Sequence, residues 1–149
     1  MTTNRFQDQN HRLTHFEKEV WVVCPKCAKQ AVAQLKEEDK EARLNCKHCG
    51  YSKQKTILVQ YQEGKYAVLK QAAHAYFDVE LWFKAPFKND VFWAYNPAHL
   101  EYLEDYISAK LREHKDRSHF TLLEKLPKFY HEAKNREDLL KVIEKLKVK

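Results

Sequence analysis

Glycine is nearly missing from this chain, with two in 149 residues, and there is a single methionine. Such scarcity excludes a glycine-rich linker, a low-complexity tract and a collagen-like repeat, and it leaves an ordered chain. The phosphate-cradling pattern GxxxxGK[ST] is absent, so ATPase or helicase chemistry by this chain alone is excluded. No run of 18 apolar residues occurs, so no membrane-spanning helix is expected. The first residues, MTTNRFQDQNHR, are polar where a secretory leader would be apolar, and the expected location is cytoplasmic. Neither HExxH nor GxSxG is found, and no cysteine stands outside two C-x-x-C pairs. No enzyme and no small-molecule substrate are therefore expected. Glu101, Glu104 and Asp105 read as the solvated face of a helix, and His114 and His119 as loop residues flanking no motif.

What is present is aromatic and charged. Aromatic residues make up 13% of the chain and charged ones 32%, with Lys and Arg exceeding Asp and Glu by 27 to 21. A surplus of +6 permits an anionic partner without demanding one.

The four cysteines carry the sharpest signal. Cys24 and Cys27 form one pair and Cys46 and Cys49 the other, with 18 residues between. Disulfides do not persist in a reducing compartment, and a thioredoxin-like redox site does not come duplicated at this spacing. Each pair can fold as a knuckle that aims two sulfurs at one point, and two knuckles joined by a hairpin supply a tetrahedral Zn²⁺. With all four positions filled by sulfur, no site remains for a catalytic water, so one structural zinc is the expected cofactor. Gly50 follows the second knuckle where positive φ is often required, whereas Ala28 takes the matching place after the first. Lys26, Lys29, Lys47 and Lys53 are placed to offset the charge of four thiolates, and His48 is expected outside the ligand set.

The chain divides into four stretches: a tail (1–17), a zinc ribbon (18–62), an aromatic β-hairpin region (63–96) and a helical region (97–149). In the ribbon, EVWVV (19–23) and KQAVAQL (29–35) read as strands, EEDKE (37–41) as a charged turn, and ARLNC (42–46) and KTILVQY (55–61) as returning strands. KYAVLKQAAHA (65–75) fits either helix or strand. YFDVELWFKA (76–85) alternates, with Phe77, Val79, Leu81 and Phe83 on one face, and VFWAYN (91–96) answers it with Val91, Trp93 and Tyr95. Asn96 and Pro97 then have the form of a cap and first helical residue, opening a helix to about 115 with the stripe Leu100, Leu103, Ile107, Leu111. TLLE (121–124) has capping-box form, Pro127 starts or kinks a further helix, and the last helix carries Leu139, Val142, Ile143 and Leu146. The expected fold class is α+β: an N-terminal zinc ribbon of antiparallel strands, an aromatic β-hairpin, then two or three C-terminal helices.

The knuckles CPKC and CKHCG resemble zinc ribbons of the TFIIB type. Together with WAYN, the YISAKLRE helix and AKNR, they make most of residues 20 to 148 similar to small bacterial TFIIB-type zinc ribbon-containing proteins, sometimes named replication-restart helicase-like. The resemblance implies a metal-bound scaffold and no established activity.

Two functions follow as expectations. Between residues 24 and 55, eight Lys or Arg face four Asp or Glu, and Arg43, Lys47, Lys53 and Lys55 with Tyr51 form a candidate nucleic-acid surface. Trp82 or Phe87 would extend it if exposed. The alternative is an adaptor that docks on a protein partner without touching nucleic acid; the lysines then serve only to balance the thiolates and keep the surface solvated.

Overall fold

A computed structural model describes residues 5–7, 15–109, 111–113 and 126–149. They belong to two compact units, one spanning Phe16–Phe83 and the other combining Met1–His15 with Lys84–Lys149. The fold is α+β.

Strand β1 (Arg5–Gln7) belongs to the second unit. The first unit is built on β2 (Glu19–Val23), β3 (Gln30–Lys36), β4 (Glu41–Asn45) and β5 (Ser52–Thr56), an antiparallel meander in that order. Alternation decides its two faces. Val20 lies opposite Ala33, Val22 opposite Ala31, and Ala33 opposite Leu44, and all five are buried. Each fully buried Val or Leu contributes about 1.5–3 kcal/mol. The alanines matter for a different reason. Ala31, Ala33 and Ala42 project so little that a 3-10 turn, Ala73–Tyr76, seats directly against β2, β3 and β4. The Ala73 N–H donates to the Glu17 carbonyl at 2.9 Å and fixes that seat.

Residues 55–61, expected as one strand, are divided. Ile57 turns inward and is buried, donating its N–H to the Lys40 carbonyl and accepting from the Leu69 N–H. Beyond it, β6 (Leu58–Gln62) and β7 (Lys65–Val68) form a separate two-stranded antiparallel ribbon, with Gly64 at φ +71° in its turn. The ambiguous stretch 65–75 is thus strand first and 3-10 turn second.

The strand expected over 76–85 is also divided. Asp78 takes φ +53°, which breaks the extended chain, and an aspartate tolerates that conformation better than most residues. Residues 80–82 then run along the free edge of β2: the Val23 N–H donates to the Glu80 carbonyl and the Trp82 N–H to the Trp21 carbonyl, each at 2.9 Å. One sheet edge is covered in this way, and β5 is the other. Trp21 stacks on Phe83 with centroids 5.5 Å apart.

In the second unit, β8 (Phe83–Phe87) and β9 (Asp90–Ala94) make the expected hairpin, turning at Lys88 with φ +53°. Of the face expected to carry Val91, Trp93 and Tyr95, Tyr95 is buried and Trp93 half-buried, and the opposite face is buried as well. Phe92 and Ala94 are buried while Val91 is exposed, because Phe92 stacks on Tyr130 and Phe87 on Phe129, both with centroids 5.4 Å apart. Helix α1 (Pro97–Ser108) opens as expected: the Asn96 side chain accepts the His99 N–H at 2.9 Å, and Pro97 is the first helical residue. It ends earlier than expected. Ala109 is extended, and Leu111 lies not on the helix but in β10 (Leu111–Glu113), paired in parallel with β1. Part of the expected tail is therefore strand. Helix α2 (Arg136–Lys147) buries Leu139, Ile143 and Leu146 and packs on α1, with Lys147 Nζ 2.6 Å from Glu104 Oε2. TLLE, His114 and His119 lie outside the described residues.

His99 is the buried histidine among the described residues of this unit. Its Nδ1 accepts the Tyr95 backbone N–H at 3.0 Å, so the neutral ring carries its hydrogen on Nε2. Burial lowers its pKa from 6.5 to about 3. The unfolded ring takes a proton near pH 6.5 while the folded one refuses it, so this contribution to stability is complete above that pH and drains as pH falls toward 3. In a chain carrying Trp21→Phe and Trp82→Phe, urea unfolding read through Trp93 should lose up to about 1.4 kcal/mol per pH unit from about pH 6 to pH 4. His99→Gln should flatten that slope. An equally steep variant would contradict the assignment.

Candidate metal centre

Two local sequences fold alike. In the first knuckle the Ala28 N–H donates to the Cys24 carbonyl at 2.9 Å and the Cys24 N–H to the Lys29 carbonyl at 2.7 Å. In the second, the Gly50 N–H donates to the Cys46 carbonyl at 2.9 Å and the Cys46 N–H to the Tyr51 carbonyl at 2.8 Å. Both knuckles leave through positive φ, +65° at Ala28 and +78° at Gly50. The first knuckle joins β2 to β3 and the second joins β4 to β5, so sheet order brings them to the same end.

The result is convergence of four sulfurs. All four Sγ atoms lie within 4.8 Å of one another. Cys24 Sγ is 3.7 Å from Cys49 Sγ, and Cys27 Sγ is 3.6 Å from Cys46 Sγ. A disulfide would need about 2.05 Å, and the four thiols are unbridged. Around Zn²⁺ at a Zn–S distance of about 2.3 Å, the edge of a regular tetrahedron is about 3.8 Å, so the sulfur set fits such an ion. Cys24 and Cys46 are buried, and Cys27 and Cys49 half-buried.

The electrostatics of the bare thiols favour a cation. Burial resists ionisation of Cys24, but the backbone N–H groups of Cys27 and Lys26, reaching its sulfur at 3.5 and 3.4 Å, bring its pKa down to about 6. At Cys27 the Lys29 backbone N–H favours the thiolate, yet burial and the neighbouring thiols of Cys46, Cys49 and Cys24 drive the pKa up to about 12. Four sulfurs this close cannot all ionise unaided, and a divalent ion removes the conflict.

The expected surface residues fare unevenly. His48 is exposed and outside the sulfur cluster. Lys47, Lys53 and Lys55 are exposed, and Tyr51 is half-buried. Arg43 does not join them. It lies opposite Gln54, whereas Lys53 lies opposite Leu44 and Lys55 opposite Ala42, which puts Arg43 on the other face of the sheet. Its guanidinium is also engaged, 2.7 Å from Glu41 and 2.9 Å from Asp39, so two carboxylates of the acidic turn occupy it. Phe87 is buried against Phe129 and offers no platform, and Trp82 is half-buried. Among the described residues the most exposed phenol rings are Tyr61 and Tyr66 on the β6–β7 ribbon. The signal that could have found them is Gly64 between two short runs carrying those tyrosines, a hairpin pattern.

Comparison of the chain with protein-family models, with curated proteins and with solved structures returns no match.

Cys46→Ser should abolish retention of one equivalent of zinc and collapse the Phe16–Phe83 unit; unchanged metal content with native circular dichroism would refute the ligand set. The knuckle exits make a second, paired test. A Cβ at Gly50 would meet nothing within 4 Å, so Gly50→Ala is penalised only by backbone conformation, at about 1 kcal/mol. Ala28→Gly should shift the urea midpoint the opposite way, by about 0.5–1 kcal/mol. Shifts of the same sign for the two variants would contradict their equivalence.

Proposed function

We propose that the chain is a non-enzymatic zinc-ribbon protein in which one Zn²⁺, held by Cys24, Cys27, Cys46 and Cys49, fixes a binding module for nucleic acid or for a complex that handles it. The observation that carries the reading is the convergence of four thiols at the end of a sheet whose edge strand is lysine-bearing and open. The resemblance of the two knuckles to TFIIB-type ribbons belongs to the same proposal. Zinc binding of this kind is worth about 10–16 kcal/mol, more than the net stability a unit of this size keeps from hydrophobic burial once the cost of ordering its chain is subtracted. The metal therefore acts as a folding constraint.

Lys47 in the second knuckle and Lys53 and Lys55 on β5 are exposed, and none forms an ion pair with a described residue. Lysines along an open sheet edge also discourage pairing with another strand, so their presence serves solubility as well as phosphate contact. Salt separates the two roles. Contacts to phosphate release counterions, and affinity then falls steeply as salt rises.

Immobilised protein should capture nucleic acid from native lysate at low salt and release it as salt is raised, and a combined Lys47→Glu, Lys53→Glu, Lys55→Glu variant should capture none. Protein partners that survive nuclease, with no nucleic acid recovered, would replace this reading by the adaptor.

A further inference from the structure

Strands β6 and β7 form a two-stranded sheet that no third strand joins among the described residues. Leu58 pairs with Val68 and Gln60 with Tyr66, so Tyr66, Leu58 and Val68 share one face. Val59 pairs with Ala67 on the other, and Tyr61 sits at the register shift between Gln60 and Gln62, where strict alternation is broken. Both faces are wet: Tyr61 is 61% and Tyr66 60% exposed, with Val59 at 41%. A two-stranded ribbon is at best marginally stable alone, and apolar side chains kept in water on both of its faces mark a surface that something covers.

The hairpin is nonetheless held in place at its base. Ile57 is buried and accepts the Leu69 N–H at 2.8 Å, and the Tyr76 hydroxyl donates to the Leu69 carbonyl. The ribbon is thus an anchored projection.

Charge narrows what can cover it. From residue 52 to residue 70 the chain carries Lys53, Lys55, Lys65 and Lys70 against Glu63 alone, and all four lysines are exposed. A second copy of the chain would set like charges against like. An anionic partner is attracted. The exposed phenol rings add a second requirement, a partner with planar faces to lay on them. Anionic phosphates and planar faces at regular spacing together describe a polynucleotide with its bases unpaired. A duplex satisfies the lysines but keeps its base faces inside the stack, where the tyrosines cannot reach them.

We infer that the β6–β7 hairpin is a docking element for single-stranded nucleic acid, with Tyr61 and Tyr66 each stacking on one base and Lys53, Lys55, Lys65 and Lys70 following the phosphates. This rests on the nucleic-acid reading above and adds to it the strandedness of the ligand and the residues that read it.

Fluorescence anisotropy tests this with labelled oligothymidylate and oligouridylate of about 15 nucleotides, within the span such surfaces cover, and with a duplex of equal length. The zinc-loaded protein should bind at least one single strand more tightly than the duplex. The double variant Tyr61→Ala, Tyr66→Ala should weaken single-strand binding on the order of 30-fold and leave duplex binding unchanged. Tyr61→Phe with Tyr66→Phe, which keeps both rings, should restore it. Both tyrosines are exposed, so retained zinc and an unchanged circular dichroism spectrum would show that each variant is folded. Single-strand binding that survives the alanine variant but is lost in the lysine-to-glutamate variant would overturn the hairpin assignment and leave the broader reading standing. Absence of binding to every probe at low salt would overturn both. A dimer, or a nuclease-resistant protein complex, that disappears in the alanine variant would assign the ribbon to that partner and overturn the inference.

Discussion

Everything in the Phe16–Phe83 unit depends on two backbone turns placing four sulfurs at one point. The β2–β3 and β4–β5 connections would otherwise be independent loops, free to fray. Their sulfurs stand 3.6 and 3.7 Å apart in two cross-knuckle pairs, which joins loops that lie 18 residues apart in sequence. The core beneath is shallow. Three of its central side chains are alanines, which allow close approach of the 3-10 turn and contribute little burial of their own. A metal held by the four clustered thiols would give that sheet a second source of cohesion.

The second unit is held together differently. Its cohesion is aromatic and helical: Phe87 on Phe129, Phe92 on Tyr130, and α1 against α2 through Leu103, Ile107, Leu139 and Ile143. Among its described residues no cluster of metal-ligating side chains occurs, and its buried polar groups serve the backbone. Asn96 caps α1, His99 accepts a backbone N–H, and the Asn135 amide donates to the Phe129 carbonyl at 3.2 Å. The first unit is therefore expected to answer to chelation, and to acid where protonated thiols release a metal, whereas the second answers to acid through His99.

Legibility from sequence follows the strength of the local constraint. The knuckles are readable because C-x-x-C spacing admits few geometries, and α1 is readable because Asn-Pro fixes where a helix begins. The apolar alternation over residues 76–85 misleads, since period-two spacing records side-chain polarity and not the φ of Asp78, and that single left-handed residue divides the run. The strand 91–96 leaves its inward face undecided, because both faces of a short aromatic strand are apolar, and Phe92 stacks in the core on Tyr130 from far along the chain. The surface patch is half legible. Lysine identity predicts exposure, but strand register decides which face a residue occupies, and register removes Arg43 from the set while ion pairs with Asp39 and Glu41 occupy it. The tyrosines of the ribbon are hidden for the opposite reason, because an aromatic residue in a charged chain is first read as core.

The central claim is that these four sulfurs hold one zinc ion, and X-ray absorption at the zinc edge of the purified protein addresses it most directly. One zinc per chain surrounded by four sulfurs at about 2.3 Å is the result predicted. A first shell containing nitrogen or oxygen, or a folded protein holding no metal, would contradict it.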